Sequence, residues 1–188
     1  MSKVVILALI AFCSSSLVAS SAFAAMKSDG KILPALSKPA PPKYRYVRIS
    51  RRKDGNDHWM NIAECEVFSG GTNVAKDKKV TQSSISHPNA FKPPMLVDGN
   101  KDNFVHTNNA DFEWFLIDLG QEYEIEKIVI TNRRSCCQHR LRNTIIEISK
   151  TVDGSNPVKA VASRAITKDE AVKATVTWDV KTNKMTSA

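Results

Sequence analysis

The chain has 188 residues, 42% of them hydrophobic, and a formal net charge of +8. That length suits one domain with a real core, and the lack of any internal repeat excludes an array of stacked units. The basic excess is scattered along the chain, which argues against a nucleic-acid partner and for attraction to acidic glycans or an anionic surface.

The first segment reads as a targeting signal. Lys3 gives the charged start, Val4–Phe12 the apolar stretch and Ala22-Phe23-Ala24 a cleavage site; the run is too short and wrongly flanked for a membrane span. Residues 1–24 are expected to be a secretory signal peptide and the protein to be secreted. Their removal takes one lysine and no acid, lowering the charge from +8 to +7. It also takes Cys13 and leaves three cysteines, an odd number for an oxidising compartment. Either one thiol stays unpaired or two chains are linked. Residues 25–43 hold four of the eight prolines (Pro34, Pro39, Pro41, Pro42) and read as a semi-extended linker.

From residue 44 to 180 the pattern is of short strands divided by turns. Tyr44–Ser50 alternates, with Val47 and Ile49 on one side. Asn61–Phe68 alternates likewise, with Ala63, Cys65 and Val67 on one face, until Ser69-Gly70-Gly71 breaks it. Trp114–Leu119, Ile125–Asn132, Thr144–Ser149 and Ala174–Val180 are further candidates, rich in β-branched and aromatic residues. Asp98-Gly99-Asn100 and Asp153-Gly154-Ser155 mark turns. Lys168–Lys173 could make one helical turn, and long amphipathic helices are absent. An all-β sandwich or barrel follows, with residues 181–188 left as a tail.

One stretch stands apart: Thr131–Leu141, T-N-R-R-S-C-C-Q-H-R-L. Adjacent cysteines, Cys136 and Cys137, sit between Arg133 and Arg140. Two readings are open. Bonded to each other, neighbours only about 3.8 Å apart would form a stiff apolar knuckle between two guanidinium forks. That arrangement suits a sugar ring, which needs an apolar face to lie on and fixed donors for its hydroxyls. Alternatively the thiols are reduced and the arginines merely solvated, as Arg134 and Arg142 are expected to be. A zinc site using His139 in C-C-x-H lacks both a usual spacing and enough ligands. The motifs G-x-S-x-G and H-E-x-x-H are missing, as is a glycine-rich phosphate loop, so an enzyme is not expected.

The pattern N-R-x-x-C-C-x-x-R-L resembles the signature of the fucolectin branch of the F5/8 type C (discoidin-like) domains. Gly70–Lys76 with Val80–Ser84, Met95–Phe104 and His106–Gly120 resemble further stretches of that family, over about residues 44–149. One departure is a loop between Phe104 and His106 several residues shorter than in typical members. The resemblance implies a galactose-binding-domain-like jelly roll that binds glycans bearing fucose or a similar terminal sugar, with Ca2+ nearby. It implies His106, Arg133 and Arg140 as the polar triad and a Cys136–Cys137 disulfide as apolar wall, leaving Cys65 as a buried free thiol. Asp98 and Glu64 are the implied side-chain ligands of the ion, with backbone oxygens near Asn100, Met95 and Ala63, and Asn103 in the place of the lost loop.

In typical members the strands resembling Y-V-R-I and N-I-A-E-x-E-V-F close the domain, whereas here they open it. A circularly permuted sandwich is expected, in which Tyr44–Phe68 fills the vacant strand positions and brings Glu64 beside Asp98. Two other functions compete. An adhesion module for phospholipid headgroups or a protein would display apolar spikes, for which Trp59 and Met60 are candidates. A structural surface component with a decayed sugar site is the second. Contact with a membrane would be peripheral at most, and an oligomer would supply multivalency for a weak single site.

Overall fold

The computed structural model describes residues 39–52, 59–158 and 160–188. The expected signal peptide and most of the expected linker lie outside these residues; 39–43 are exposed and lack regular structure.

Strand-forming runs fall where alternation puts β-branched and aromatic residues on one face. In chain order they are β1 (Tyr44–Arg51), β2 (Asn61–Ser69), β3 (Thr72–Asn73), β4 (Lys79–Gln82) and β5 (Val105–His106). There follow β6 (Trp114–Tyr123), β7 (Lys127–Asn132), β8 (Thr144–Ser149), β9 (Thr151–Asp153) and β10 (Asn156–Val158). The last are β11 (Ala162–Ala165), β12 (Thr175–Asp179) and β13 (Lys184–Ser187). One sheet runs β11-β8-β1-β6-β4; the other runs β13-β12-β7-β2-β3, with β5 also on β2. β9 and β10 make a hairpin about the turn expected at Asp153-Gly154-Ser155. The pairings are antiparallel, as a jelly-roll sandwich requires.

A single core joins the sheets. Val47, Ile49, Phe115, Ile117, Ile146 and Ile148 come from one sheet; Ile62, Cys65, Val67, Ile128, Ile130 and Trp178 come from the other. The opposite face of β1 is charged, with Arg45 holding Asp118 through two bonds of 2.7 and 2.9 Å. The front strands take interior places: β1 lies between β6 and β8, and β2 between β7 and β3. This is what the permuted order demands, and it puts Tyr44–Arg51 in one sandwich with Thr175–Asp179.

Two details differ from expectation. Ile62 pairs with Asn132 and Glu64 with Thr131, so Ala63 is an extra residue in a β-bulge. The core side of β2 is therefore Ile62, Cys65 and Val67, while Ala63 and Glu64 are buried without joining the core cluster. A bulge re-aims the side chain beside it, and here that side chain is Glu64. Residues 181–188 are not a plain tail. The turn at Asn183 (φ +53) sends its side-chain oxygen to Trp178 Nε1 at 3.1 Å, and β13 returns along β12. The helical turn is real but short, α1 (Lys168–Ala171), closed by reciprocal bonds between Thr167 and Glu170.

Candidate functional site

Several connections meet at one end of the sandwich, where Ser50 pairs with Trp114, Arg51 with Thr144, Asn61 with His106 and Ile62 with Asn132. The cysteine loop is built on Asn132, which is buried at the end of β7. Its Nδ2 donates to the carbonyls of Gln138 (3.1 Å), Ala171 (2.7 Å) and Lys173 (3.2 Å), and its Oδ1 accepts from Arg133 N (2.8 Å). Gln138 Nε2 closes the loop by donating to the carbonyls of Arg133 and Arg134. Cys136 and Cys137 are bonded to each other, Cα atoms 3.8 Å apart, and Cys137 adopts φ +64 at the start of the turn Gln138–Leu141. No thiolate remains there for zinc. Cys65 is free and fully buried, and burial pushes its thiol up, so it is inert.

His106 is buried, and its protonation can be read from its partners. Nδ1 lies 2.7 Å from Thr107 O, which can only accept, so Nδ1 carries the proton. Nε2 lies 3.3 Å from Arg140 Nη1, which can only donate, so Nε2 accepts. Burial holds the histidine below its ordinary value, helped by the charges of Arg140 and Arg133, and the ring is neutral. Aromatic rings surround it: Trp59 edge-on at 5.0 Å, Phe91 stacked at 5.2 Å and Phe104 at 6.2 Å.

The two arginines of the motif are both half-buried, each over an aromatic ring. The guanidinium of Arg133 is 4.0 Å from the centre of Phe104, and Arg133 Nε donates to Ser135 Oγ at 2.9 Å. Arg140 lies 5.7 Å from the centre of Trp59. Burial and the charge of Arg140 lower the basicity of Arg133, which marks the two cations as neighbours. Arg134 instead makes an exposed ion pair with Asp102 at 2.8 Å. The structure thus gathers His106, Arg133 and Arg140 into one cluster.

Sequence reasoning missed part of this cluster. Phe91 sits in a loop without periodicity. Trp59 reads as a membrane spike from sequence, but packs on His106. Met60, the other candidate spike, is buried in the core and donates its N–H to Thr107 Oγ1 at 2.9 Å. Arg51, at the end of β1 and also buried, donates from Nη1 to Trp59 O (2.7 Å) and Arg140 O (3.0 Å). One guanidinium therefore ties together two walls of the cluster. An arginine at a strand end gives no sequence signal for that.

Of the expected metal ligands, the side chains of Glu64, Asp98 and Asn103 lie about the D-G-N turn. Glu64 is fully buried, and both its carboxylate oxygens accept from Gly99 N at 3.2 Å. Gly99 has φ +82, a conformation that favours glycine in the D-G-N turn. Asp98 accepts from Asn100 N (2.8 Å) and from Asn103 Nδ2 (2.7 Å). Asn103 Oδ1 is buried with no hydrogen-bond partner. Burial chiefly, with the nearby charge of Asp98, pushes the Glu64 carboxyl up to about 7. Met95 lies in the turn Pro93–Leu96 and Ala63 in the bulge. Among the described residues no three His, Cys, Asp or Glu side chains gather as a metal cluster. A cation here would instead take two carboxylates, an orphaned amide oxygen and carbonyls, an all-oxygen set that fits Ca2+.

A two-sheet antiparallel sandwich with its polar cluster on the loops of one end defines a galactose-binding-like domain. Comparison with known proteins agrees. Residues 95–186 match the F5/8 type C family model described as a NedA-like, galactose-binding domain. Fucolectin-6 of Anguilla japonica is 36% identical over 94 residues, covering 45% of this chain and 50% of that protein. Fucolectin-1 of the same organism is 35% identical over 101 residues (47% and 57%), and fucolectin-4 is 32% identical over 120 residues (60% and 64%). The chain spans about half the length of the curated relatives it matches. No solved structure matches it. The described sandwich is therefore similar to the F5/8 type C (discoidin-like) domains of the fucolectin type.

Proposed function

We propose that this domain is a lectin module, a binding rather than a catalytic unit, for glycans ending in fucose or a similarly configured sugar. The observation that carries the reading is the neutral, oriented His106 between the guanidinium groups of Arg133 and Arg140, walled by aromatic rings. The long contact from Arg140 to His106 Nε2 suits exchange. A sugar hydroxyl entering between them would accept from Arg140 and donate to the histidine, so both partners stay satisfied. Arg133 approaches from another direction, and three fixed directions distinguish axial from equatorial hydroxyls. Phe91, Phe104 and the Cys136–Cys137 knuckle offer apolar surface for the ring.

Ca2+ belongs to the same reading. Glu64, Asp98 and Asn103 Oδ1 would hold it with the carbonyls of Ala63, Met95 and Asn100. Its contribution is charge: it would neutralise two facing carboxylates and order the loop that leads into Phe104 and His106. The targeting signature at the front of the chain supports secretion, the setting in which a vicinal disulfide persists.

The test is a glycan array followed by calorimetry with the full chain. Wild type should select fucose-type termini. Arg133→Ala or Arg140→Ala should each lose about 1–3 kcal/mol of binding, roughly 5- to 150-fold, because each leaves a hydroxyl unpaired in a desolvated site. Full affinity in either variant would remove these residues from the site.

A further inference from the structure

Beyond the His106 cluster, the connection from β5 to β6 carries an outlier. Among the described residues, three large hydrophobic ones are more than half exposed: Phe112 (65%), Val172 (56%) and Val161 (55%). Of these, Phe112 alone has a left-handed backbone, φ +63. A bulky L-residue is disfavoured there because its Cβ crowds the following carbonyl, whereas glycine is not. Scattered exposed hydrophobics need no explanation, but an exposed aromatic held in a disfavoured conformation does.

The surroundings hold it. Glu113, the next residue, is buried; its carboxylate accepts from the hydroxyls of Ser83 and of Ser84 (2.6 Å), and its carbonyl accepts from Arg51 N at 2.9 Å. Trp114 N donates to Ser83 Oγ at 2.9 Å. The other end of the connection is fixed to the same serines, since Asn108 N donates to Ser84 Oγ at 2.8 Å. Ser86 N donates to the carbonyl of His106 at 3.1 Å. A short run of serines therefore ties the neighbour of Phe112 to His106 itself. Arg51, which braces Trp59 and Arg140, braces Glu113 as well.

We propose that Phe112 is the platform of a second sugar subsite. It would stack on the C–H face of the pyranose attached to the terminal sugar held at His106. This inference rests on the carbohydrate-binding reading. A single ring matches one pyranose face, and the slightly positive C–H groups suit the negative face of the ring. Its flank is polar: Asn108, Asn109 and Asp111 are exposed on the same connection, with groups that can meet hydroxyls.

Calorimetry on the full chain would compare methyl fucoside with fucosylated di- and trisaccharides, using wild type, Phe112→Gly and Phe112→Trp. Wild type should prefer the oligosaccharides about two- to tenfold, the scale of one aromatic contact. Phe112→Gly should abolish that preference, leave the monosaccharide affinity unchanged and raise Tm, because glycine accepts φ +63. Phe112→Trp should keep the preference. An unaltered preference in Phe112→Gly overturns the subsite, as does loss of monosaccharide affinity or transfer of the effect to phosphatidylserine vesicles. Absence of any sugar binding by wild type would instead overturn the underlying lectin reading.

Discussion

The carboxyl of Glu64 offers the sharpest test of the metal site. In the unfolded chain it ionises at its ordinary value of 4.5; in the fold, burial and Asp98 push it up to about 7. At 1.36 kcal/mol for each tenfold change in proton affinity, the difference is about 3 kcal/mol. The side chain is fully buried, so solvent screening does not dilute it. Below about 4.5 both states hold the proton and Glu64 has no effect on stability. Between 4.5 and 7 the unfolded chain has released the proton while the fold retains it, so rising pH favours unfolding. The calcium-free fold therefore loses up to about 3 kcal/mol by neutral pH, then levels off. Ca2+ bound as proposed would reverse this, because it would compete with the proton for the ionised carboxylate. Thermal melts from pH 4.5 to 8, with calcium or with chelator, read both effects. Glu64→Gln keeps the shape and an acceptor for Gly99 N, and its comparison with wild type cancels every other titrating group. In chelator at pH 8 the variant should melt higher than wild type, by roughly 6–12 °C for a domain of this size. Its response to calcium should vanish. Equal melts in chelator would refute the buried, ionised carboxylate, and a retained calcium response would take Glu64 out of the metal site.

Sugar affinity should fall in acid. Protonation puts a hydrogen on His106 Nε2 against Arg140, and because burial holds the histidine low, the loss should begin below its ordinary value of 6.5; calorimetry across pH 5–8 measures it. Arg51→Met should weaken sugar binding and lower Tm, since the carbonyls of Trp59 and Arg140 lose a charged donor, at about 1–3 kcal/mol each before the relief of burying a cation. In an Arg140→Ala background the binding loss should shrink, as expected for a residue acting through another. Deleting residues up to Phe68 should abolish the cooperative melt, because β1 and β2 hold interior places in both sheets.

Much of the fold was legible because alternation reports burial directly. Val47 and Ile49 in β1, or Ile128 and Ile130 in β7, announce a core face from the chain alone. The strand Lys184–Ser187 was invisible, since K-M-T-S has no alternating apolar face and exists because β12 offers an edge and Asn183 reaches Trp178. The bulge at Ala63 was equally hidden. It is a property of the pairing with β7, and no residue type in N-I-A-E-C signals it. At the site, the family resemblance carried by N-R-x-x-C-C-x-x-R-L and by His106–Gly120 implied His106, Arg133 and Arg140. The arginines' burial did not follow from it, because the rings beneath them, Phe104 and Trp59, come from other loops. Arg51 and Phe91 carry no motif at all; only the assembled fold shows what they touch.

Those hidden residues explain why the front strands matter beyond filling the sandwich. Arg51 ends β1, Trp59 and Met60 lead into β2, and Glu64 follows the bulge, all within one short stretch of chain. Each meets a partner from the middle of the sequence: Arg51 meets Arg140, Trp59 meets His106, Met60 meets Thr107 and Glu64 meets Gly99. The stretch that opens the domain therefore holds one side of both the proposed sugar cluster and the proposed calcium loop. Asn61 pairs with His106 on β5, and the same strand, past the bulge in its pairing with β7, presents Glu64 to the D-G-N turn. Calcium at Glu64 and a sugar at His106 would therefore both act on this one strand, and any coupling between them would be reciprocal.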